Sequence, residues 1–368
     1  MSRRKDIVSH LLRLAACLAM LAAAAVARTG RIAGVSVAPS ASGADAAASA
    51  VRVAEDGTRT AVSSALDVAV DGYGGPVPVQ VEVRDGRVVS VAPVLPNGET
   101  PMFFGLLDEA GFWHSWDDLP VEEARALPVD AVASATYSSR AALANVRAAL
   151  AALADGGAAS PPPAGLPLPS PGPVAALAVL LAAAILPFFP RTRSRRWRTL
   201  LLVLDVAVLG VWNGLFLSLD RLLGWAANGL PGTPADAAAA LLLLAMAFLY
   251  PLFGRASHYC LHACPFGALQ ELASRLPVPK PRLSPALVRA LVAFRRLLWA
   301  AVMLSLWCGL EAPWTGWEPF GAFAWRAVPV SVTALAVATV ALSAFFPRAC
   351  CRFLCPTGTL LKTAEAPD

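Results

Sequence analysis

Cys260-Leu-His-Ala-Cys-Pro-Phe-Gly267 and Cys351-Arg-Phe-Leu-Cys-Pro-Thr-Gly358 are two copies of one pattern, Cys-x-x-x-Cys-Pro-x-Gly, and each directly follows a long apolar run. Four of the 7 cysteines fall in these copies, in a chain otherwise poor in cysteine. That placement predicts paired thiols at a membrane face and, with them, redox or metal chemistry. The chain has 368 residues, 57% of them hydrophobic and 15% charged. Such a balance excludes an ordinary soluble protein and leaves room for one soluble domain beside a membrane part.

Working outward from the motifs, apolar runs stand at about 174–189, 200–219, 237–253, 297–310 and 327–346. They predict an all-α bundle of five transmembrane helices over residues 174–368, although the first and fourth runs are short for a bilayer core of about 30 Å. A sixth helix is added if the amino-terminal segment is kept. Residues 1–28 carry Arg3, Arg4 and Lys5 before the Leu14–Ala27 apolar run, and read as a signal peptide or as a signal anchor. Cys17 in this run reads as a buried small residue rather than a lipid-attachment site.

Charge orients the bundle, because short cytoplasmic loops hold the Lys and Arg excess. The run from Arg191 to Arg198 and the segment from Arg255 to Arg296 are basic, whereas the loops near Asp220–Asp236 and Glu311–Arg326 hold few cations and carry Trp225, Trp314, Trp317 and Trp325. Both cysteine motifs therefore face the cytoplasm, where thiols stay reduced and metal ligation or transient redox chemistry is favoured over a structural disulfide. Spans three and five each end in the same motif, so two related hairpins would bring Cys260, Cys264, Cys351 and Cys355 together. Four thiolates are the ligand set of an iron–sulfur cluster, with zinc as the second reading. His258 and His262 flank Cys260 as hydrogen-bonded histidines or as further ligands, and Cys350 is a bystander. Asp205, inside the second span, either snorkels to Arg198 or Arg196 or serves a proton or quinone site, with Asn213 a weaker candidate.

On the other side of the bilayer, residues 29–159 have globular composition and no cysteine. The proline-rich stretch 160–173 links them to the membrane as a semi-rigid spacer. Valines 77, 79, 81 and 83 alternate, Asp85-Gly86 makes a turn, and Val88–Val94 returns, which predicts a β-hairpin with one buried face. Ser138–Ala154 has helical periodicity, so this extracytoplasmic domain is α+β. Small and hydroxyl residues before that helix suit a phosphate, since unpaired backbone N–H groups gather at a helix amino end.

Three elements make the resemblance specific: Gly72-Tyr-Gly-Gly-Pro-Val77, Glu99-Thr100-Pro101 and Asp130-Ala-Val-Ala-Ser-Ala-Thr-Tyr-Ser-Ser139. They resemble the FMN-binding domain of the NosR/NirI family and of the third subunit of sodium-translocating NADH:quinone reductases. The resemblance implies FMN bound through a phosphoester to Thr136, installed by a flavin transferase, with Asp130, Ser134, Glu99 and Thr100 in the site. This sequence has Ala133 and Ser134 where the family has Ser or Thr and Gly. The membrane half looks like the NapH-like group, in which paired Cys-x-x-x-Cys-Pro motifs recur, and Glu318-Pro319-Phe320 resembles a segment of it. A carboxy-terminal ferredoxin-like domain, carried by many relatives, is expected to be lacking.

Together these features imply an electron-transfer component of the cell membrane rather than a stand-alone catalyst. It would pass electrons between a cytoplasmic ferredoxin or quinol donor and an extracytoplasmic acceptor, through FMN and cysteine-ligated centres. About 30 Å of bilayer is too far for one hop, so a partner, a quinone or a further cofactor would lie between. A redox sensor or regulator of NosR/NirI type, and thiol-based reductant transfer, are the rival functions. No nucleic-acid partner is expected.

Overall fold

The computed structural model describes residues 2–33, 35–37, 51–66, 77–94, 101–129, 136–154, 171–230, 234–308, 318–324 and 330–365. They form two compact units, residues 33–167 and residues 1–32 with 168–368.

The smaller unit is built on an antiparallel sheet of β1 (Val51–Val53), β2 (Arg59–Val62), β3 (Val79–Arg84) and β4 (Arg87–Pro93), ordered β1-β2-β3-β4. The hairpin falls where the sequence puts it. Val77, Val79, Val81 and Val83 are buried, and Asp85 (φ 50°) with Gly86 (φ 75°) makes a turn whose two positive φ values match strand twist. A bulge between Glu82 and Val83 shifts the register, and with it Val88 and Val91 become the buried residues of β4.

In the larger unit the helix α1 (Ser2–Thr29) comes first. The smaller unit contributes α2 (Pro101–Glu109), α3 (Val121–Ala126) and α4 (Thr136–Ala154). Of these, α4 covers the sheet with Ala142, Val146, Ala149 and Leu150. Burying each Val or Leu contributes about 1.5–3 kcal/mol. Asn145 on the same helix donates through Nδ2 to the Val77 carbonyl at 2.7 Å, which fixes helix to strand.

The larger unit continues with α5 (Pro171–Ile185), α6 (Arg195–Leu204), α7 (Leu219–Asn228), α8 (Pro234–Leu244), α9 (His258–His262), α10 (Pro265–Ala273), α11 (Pro285–Trp307), α12 (Val330–Phe345), α13 (Ala349–Phe353) and α14 (Pro356–Ala364). Among the described residues three helices are long and apolar enough to cross a membrane, Val8–Thr29, Pro171–Phe188 and Pro234–Phe253, with Val330–Phe345 a shorter apolar helix. The expected second span runs as α6, then a π-helical stretch Asp205–Trp212, and its last residues to Ser218 are not helical. The fourth lies within α11, a longer helix whose Arg289, Arg295 and Arg296 break its apolar run.

The amino-terminal helix is part of the core. Cys17, Leu21 and Ala24 are buried in it, and Cys17 Sγ lies 3.3 Å from Thr363 Oγ1, the buried-residue reading of that cysteine. Helix α14 lies along α1, with Arg13 donating to the Glu365 carbonyl at 3.1 Å. The segment containing Glu318-Pro319-Phe320 is not confined to an outer loop. Glu318 accepts from Thr357 Oγ1 at 2.9 Å, beside the second cysteine motif, and Phe320 packs on Phe216 and Phe266. Trp314, Trp317 and Trp325 lie outside the described residues.

Candidate functional site

The Cys-x-x-x-Cys-Pro-x-Gly spacing builds the same local structure twice. Each copy starts at a non-glycine residue in the left-handed region, Ser257 (φ 55°) or Arg348 (φ 57°), which turns the chain out of the preceding helix. A five-residue helix follows, α9 or α13. The second cysteine is extended, as a residue before proline prefers, at φ −84°, ψ 112° for Cys264 and φ −64°, ψ 113° for Cys355. Proline then occupies the first turn of α10 or α14, where a missing N–H costs nothing.

Glycine completes the pattern because a side chain there would crowd the first half of the motif, while the backbone N–H reaches sulfur. Gly267 N donates to Cys264 Sγ at 3.4 Å and Gly358 N to Cys355 Sγ at 3.1 Å, so each cysteine caps the helix that follows it. A Cβ on Gly267 would stand 2.8 Å from the Cys260 carbonyl oxygen, whereas on Gly358 it would meet Cys355 Sγ at 3.3 Å. Gly267→Ala is therefore expected to lower bound iron per chain more than Gly358→Ala does. Colorimetric iron and sulfide assays on the two purified variants measure it, and equal losses would contradict the geometry.

The two copies are tied to one another. Gln270 on α10 donates through Nε2 to Cys351 Sγ at 3.3 Å and accepts through Oε1 from Cys350 N at 2.9 Å and Ser343 Oγ at 3.2 Å. Arg348 donates to the Cys260 carbonyl at 2.8 Å, and Arg295 to the Cys351 carbonyl at 3.2 Å. Cys260 consequently lies within electrostatic range of Cys264, Cys351 and Cys355, and Cys351 within range of Cys264 and Cys355. Burial pushes the Cys264 thiol up to about 12, with Cys351 adding to the rise. Ligation by thiolates at such a site releases protons and couples cofactor binding to folding.

Two buried cysteines, Cys264 and Cys355, and two half-buried ones, Cys260 and Cys351, with N–H donors aimed at three of the sulfurs, fit a polynuclear iron–sulfur group. Among the described residues no three His, Cys, Asp or Glu side chains stand close enough to hold a single metal ion. Cys350 contributes its backbone N–H, consistent with a bystander thiol.

Glu271 anchors the surrounding cations. Its carboxylate accepts from Arg198 at 2.6 Å, Arg348 at 2.6 Å and Arg275 at 2.9 Å, so one acid holds the first motif's helix to the second motif's entry residue. Burial alone would raise this carboxyl, but hydrogen bonds from Arg198 and Arg348 outweigh it and hold the group at about 2. A depressed acid contributes stability that is full above its unfolded value near 4.5 and is lost as pH falls through about 2. Glu271→Gln is expected to cost about 2 kcal/mol, since charge-assisted bonds are worth about 1.5–3 kcal/mol. Chemical denaturation at pH 7 and at pH 2 checks this, with the difference between wild type and variant shrinking at the lower pH.

Arg198 is thus engaged with Glu271, and the expected pairing of Asp205 with Arg198 or Arg196 is not seen. Asp205 is buried, and among the described residues neither carboxylate oxygen meets a hydrogen-bond partner. Asn213 donates to the Val208 carbonyl at 2.8 Å within its own turn. His258 Nε2 lies 3.2 Å from the Ala183 carbonyl, and His262 Nδ1 lies 2.6 Å from the Arg198 guanidinium. Burial and the neighbouring Arg198 push His262 down to about 3, and burial lowers His258 too.

For the flavin, Thr136 is the first residue of α4, the helix amino end expected to face a phosphate. Asp130, Ser134, Glu99, Thr100 and the glycines 72, 74 and 75 lie outside the described residues.

Residues 72–151 match the FMN-binding domain family, and residues 236–284 with 328–366 match the 4Fe-4S binding domain family. Neither the curated proteins nor the solved structures give a match to the chain. The two matched pieces of the 4Fe-4S domain contain the two copies of the motif, α8 to α10 and α12 to α14, and omit α11. The chain combines domains for FMN and an iron–sulfur cluster, the composition of a flavin and iron–sulfur electron-transfer protein. The expected lack of a ferredoxin-like domain is not borne out as a contrast, because a 4Fe-4S binding domain is found within the helical half itself.

Proposed function

We propose that this chain is a membrane flavoprotein of the NosR/NirI type that carries electrons across the cell membrane. In this reading the donor is a cytoplasmic ferredoxin or a quinol, the acceptor is extracytoplasmic, and FMN is attached covalently to Thr136 by a flavin transferase. The observation that carries it is the duplicated cysteine turn, whose two copies are joined through Gln270 and Arg348, in a chain that also matches an FMN-binding domain and a 4Fe-4S binding domain. Bound there, the cluster would supply one-electron chemistry and the flavin one- and two-electron chemistry.

The residues' own part is to hold and shield. Gly267, Gly358 and Gln270 donate to sulfur, which favours the reduced, more negative state, and the buried rings of Phe266 and Phe320 pack together in the same core cluster as Cys264 and Cys355. Arg198 and Arg255 line one cavity, which supports placing both basic segments on the same side of the bilayer. Asp130, Ser134, Glu99 and Thr100 are proposed to line the flavin site.

The test is purification after coexpression with a flavin transferase, followed by flavin, iron and sulfide assays and a redox titration. Two redox-active centres in one chain support the proposal. Flavin without iron would leave the sensor function, and iron without flavin would leave the outer domain's role unsupported. Reporter fusions check sidedness, with a phosphatase active after residue 160 and inactive after residue 280.

A further inference from the structure

One buried carboxylate takes no part in holding the thiols. Asp205 is 0% exposed and, among the described residues, both of its carboxylate oxygens are without a hydrogen-bond partner. It opens the π-helical stretch Asp205–Trp212, a distortion that recurs at functional sites. A carboxylate charge buried without a partner is costly, and acids within apolar spans mark ion or proton pathways.

A cavity of about 590 Å³ reaches to within one helical turn of it. Arg198 and Leu201 line that cavity, and Arg198, Leu201 and Asp205 are spaced i, i+3 and i+7, on one face of the helix. From Leu201 to Asp205 is about 6 Å of helix rise. Thr192, Arg255, His258 and His262 bring further polar groups to the walls, a lining that suits water. The cavity is thus an aqueous approach to Asp205 from the side of the basic segments.

The elements packed on Asp205–Trp212 are α5, α6, α10 and residues Pro319–Ala324. Of these α5 and Pro319–Ala324 carry no titratable side chain, α6 carries Arg195, Arg196 and Arg198, and α10 carries Glu271. Arg275 follows α10, and Arg348 stands at the entry to the second motif. Arg198, Glu271 and Arg348 lie within electrostatic range of Asp205, and the three are joined in one ion-pair group. That group touches the thiol site, since Arg348 donates to the Cys260 carbonyl and Gln270, beside Glu271, donates to Cys351 Sγ. Negative charge added at the thiols favours the protonated form of a carboxyl nearby. A metal ion would need several oxygen ligands, and among the described residues Asp205 belongs to no group of three acids, histidines or cysteines that could hold one. A proton needs no such set.

We propose that Asp205 is a redox-linked proton site: its carboxylate takes one proton from water in the cavity when the cysteine site gains an electron, and returns it when the electron leaves. The electron comes from a one-electron reductant on the donor side, and the carboxyl O–H is the one bond that forms and breaks. The inference rests on the electron-transfer reading above and adds that the passage of an electron moves a proton.

Redox titration of the cluster tests it, on the full chain in lipid nanodiscs between about pH 6 and pH 10, with dithionite as reductant. One proton per electron changes the equilibrium tenfold per pH unit, which is about 59 mV for a one-electron couple. The wild-type midpoint potential is expected to fall toward that slope as pH rises through part of the range. Asp205→Asn is expected to abolish the dependence and Asp205→Glu to keep it. No partner is stranded by either change, so iron content and melting temperature should stay near wild type, and Asp205→Leu serves in place of an Asn variant that loses iron. A wild-type potential independent of pH overturns the proposal while leaving the electron-transfer reading in place. So does an undiminished slope in an iron-replete Asp205→Asn or Asp205→Leu variant, which would assign the proton to His258, His262 or Glu271. A wild-type chain without a redox-active cluster would sink both readings together.

Discussion

Replacing Cys260 and Cys351 together by Ser is expected to reduce bound iron and acid-labile sulfide from a full cluster to near zero. Together the two substitutions remove one sulfur from each turn, so neither half keeps a complete pair. Cys260 and Cys351 also stand where Arg348, Arg295 and Gln270 join the halves, through 2.8 Å and 3.2 Å bonds to their carbonyls and a 3.3 Å bond to Cys351 Sγ. The carbonyl bonds survive the change to Ser, so the polypeptide has reason to stay folded. What is lost is the soft thiolate that iron–sulfur chemistry requires. Cys350→Ala is the control, because that residue contributes a backbone N–H to Gln270. Iron retained at wild-type level in the double variant would remove these four cysteines from the site.

Thr136→Ala is expected to eliminate flavin fluorescence from the denatured protein band while native FMN binding persists at lower affinity. The phosphoester needs a side-chain hydroxyl, and alanine has none; Thr136→Ser keeps one and is expected to retain part of the label. The residue opens α4, a helix held to the sheet by Asn145 and by a buried row of small and aliphatic residues. A substitution at its first residue leaves that row intact, so melting temperature should move little. Wild type coexpressed with the transferase and still unlabelled would sink covalent attachment, whereas unlabelled protein that copurifies with FMN would still bear a flavin site.

Local chemistry made parts of this molecule legible. The alternating valines and the Asp85-Gly86 turn could form little else than a hairpin, because side-chain direction alternates along a strand and two positive φ values suit Asp-Gly. Cys-Pro-x-Gly is equally local, and both copies adopt the same turn. Membrane spans were read less well. Hydropathy reports composition, and it could not show that residues 213–218 leave the helix or that α11 continues through Arg289 and Arg295. The partner of Arg198 was likewise out of reach, since Glu271 lies 73 residues away and three arginines share it.

By itself the sequence determined the two cysteine turns and the hairpin, each set by neighbours close along the chain, and the presence of a flavin motif and a thiol motif in one chain. Tertiary structure decided what those turns do together. Gln270 reaching Cys351, Arg348 reaching Cys260 and Glu318 reaching Thr357 are contacts across 39 to 88 residues. They exist because burial leaves each polar group to find its partner inside the bundle, and no spacing rule in the chain records which partner that is.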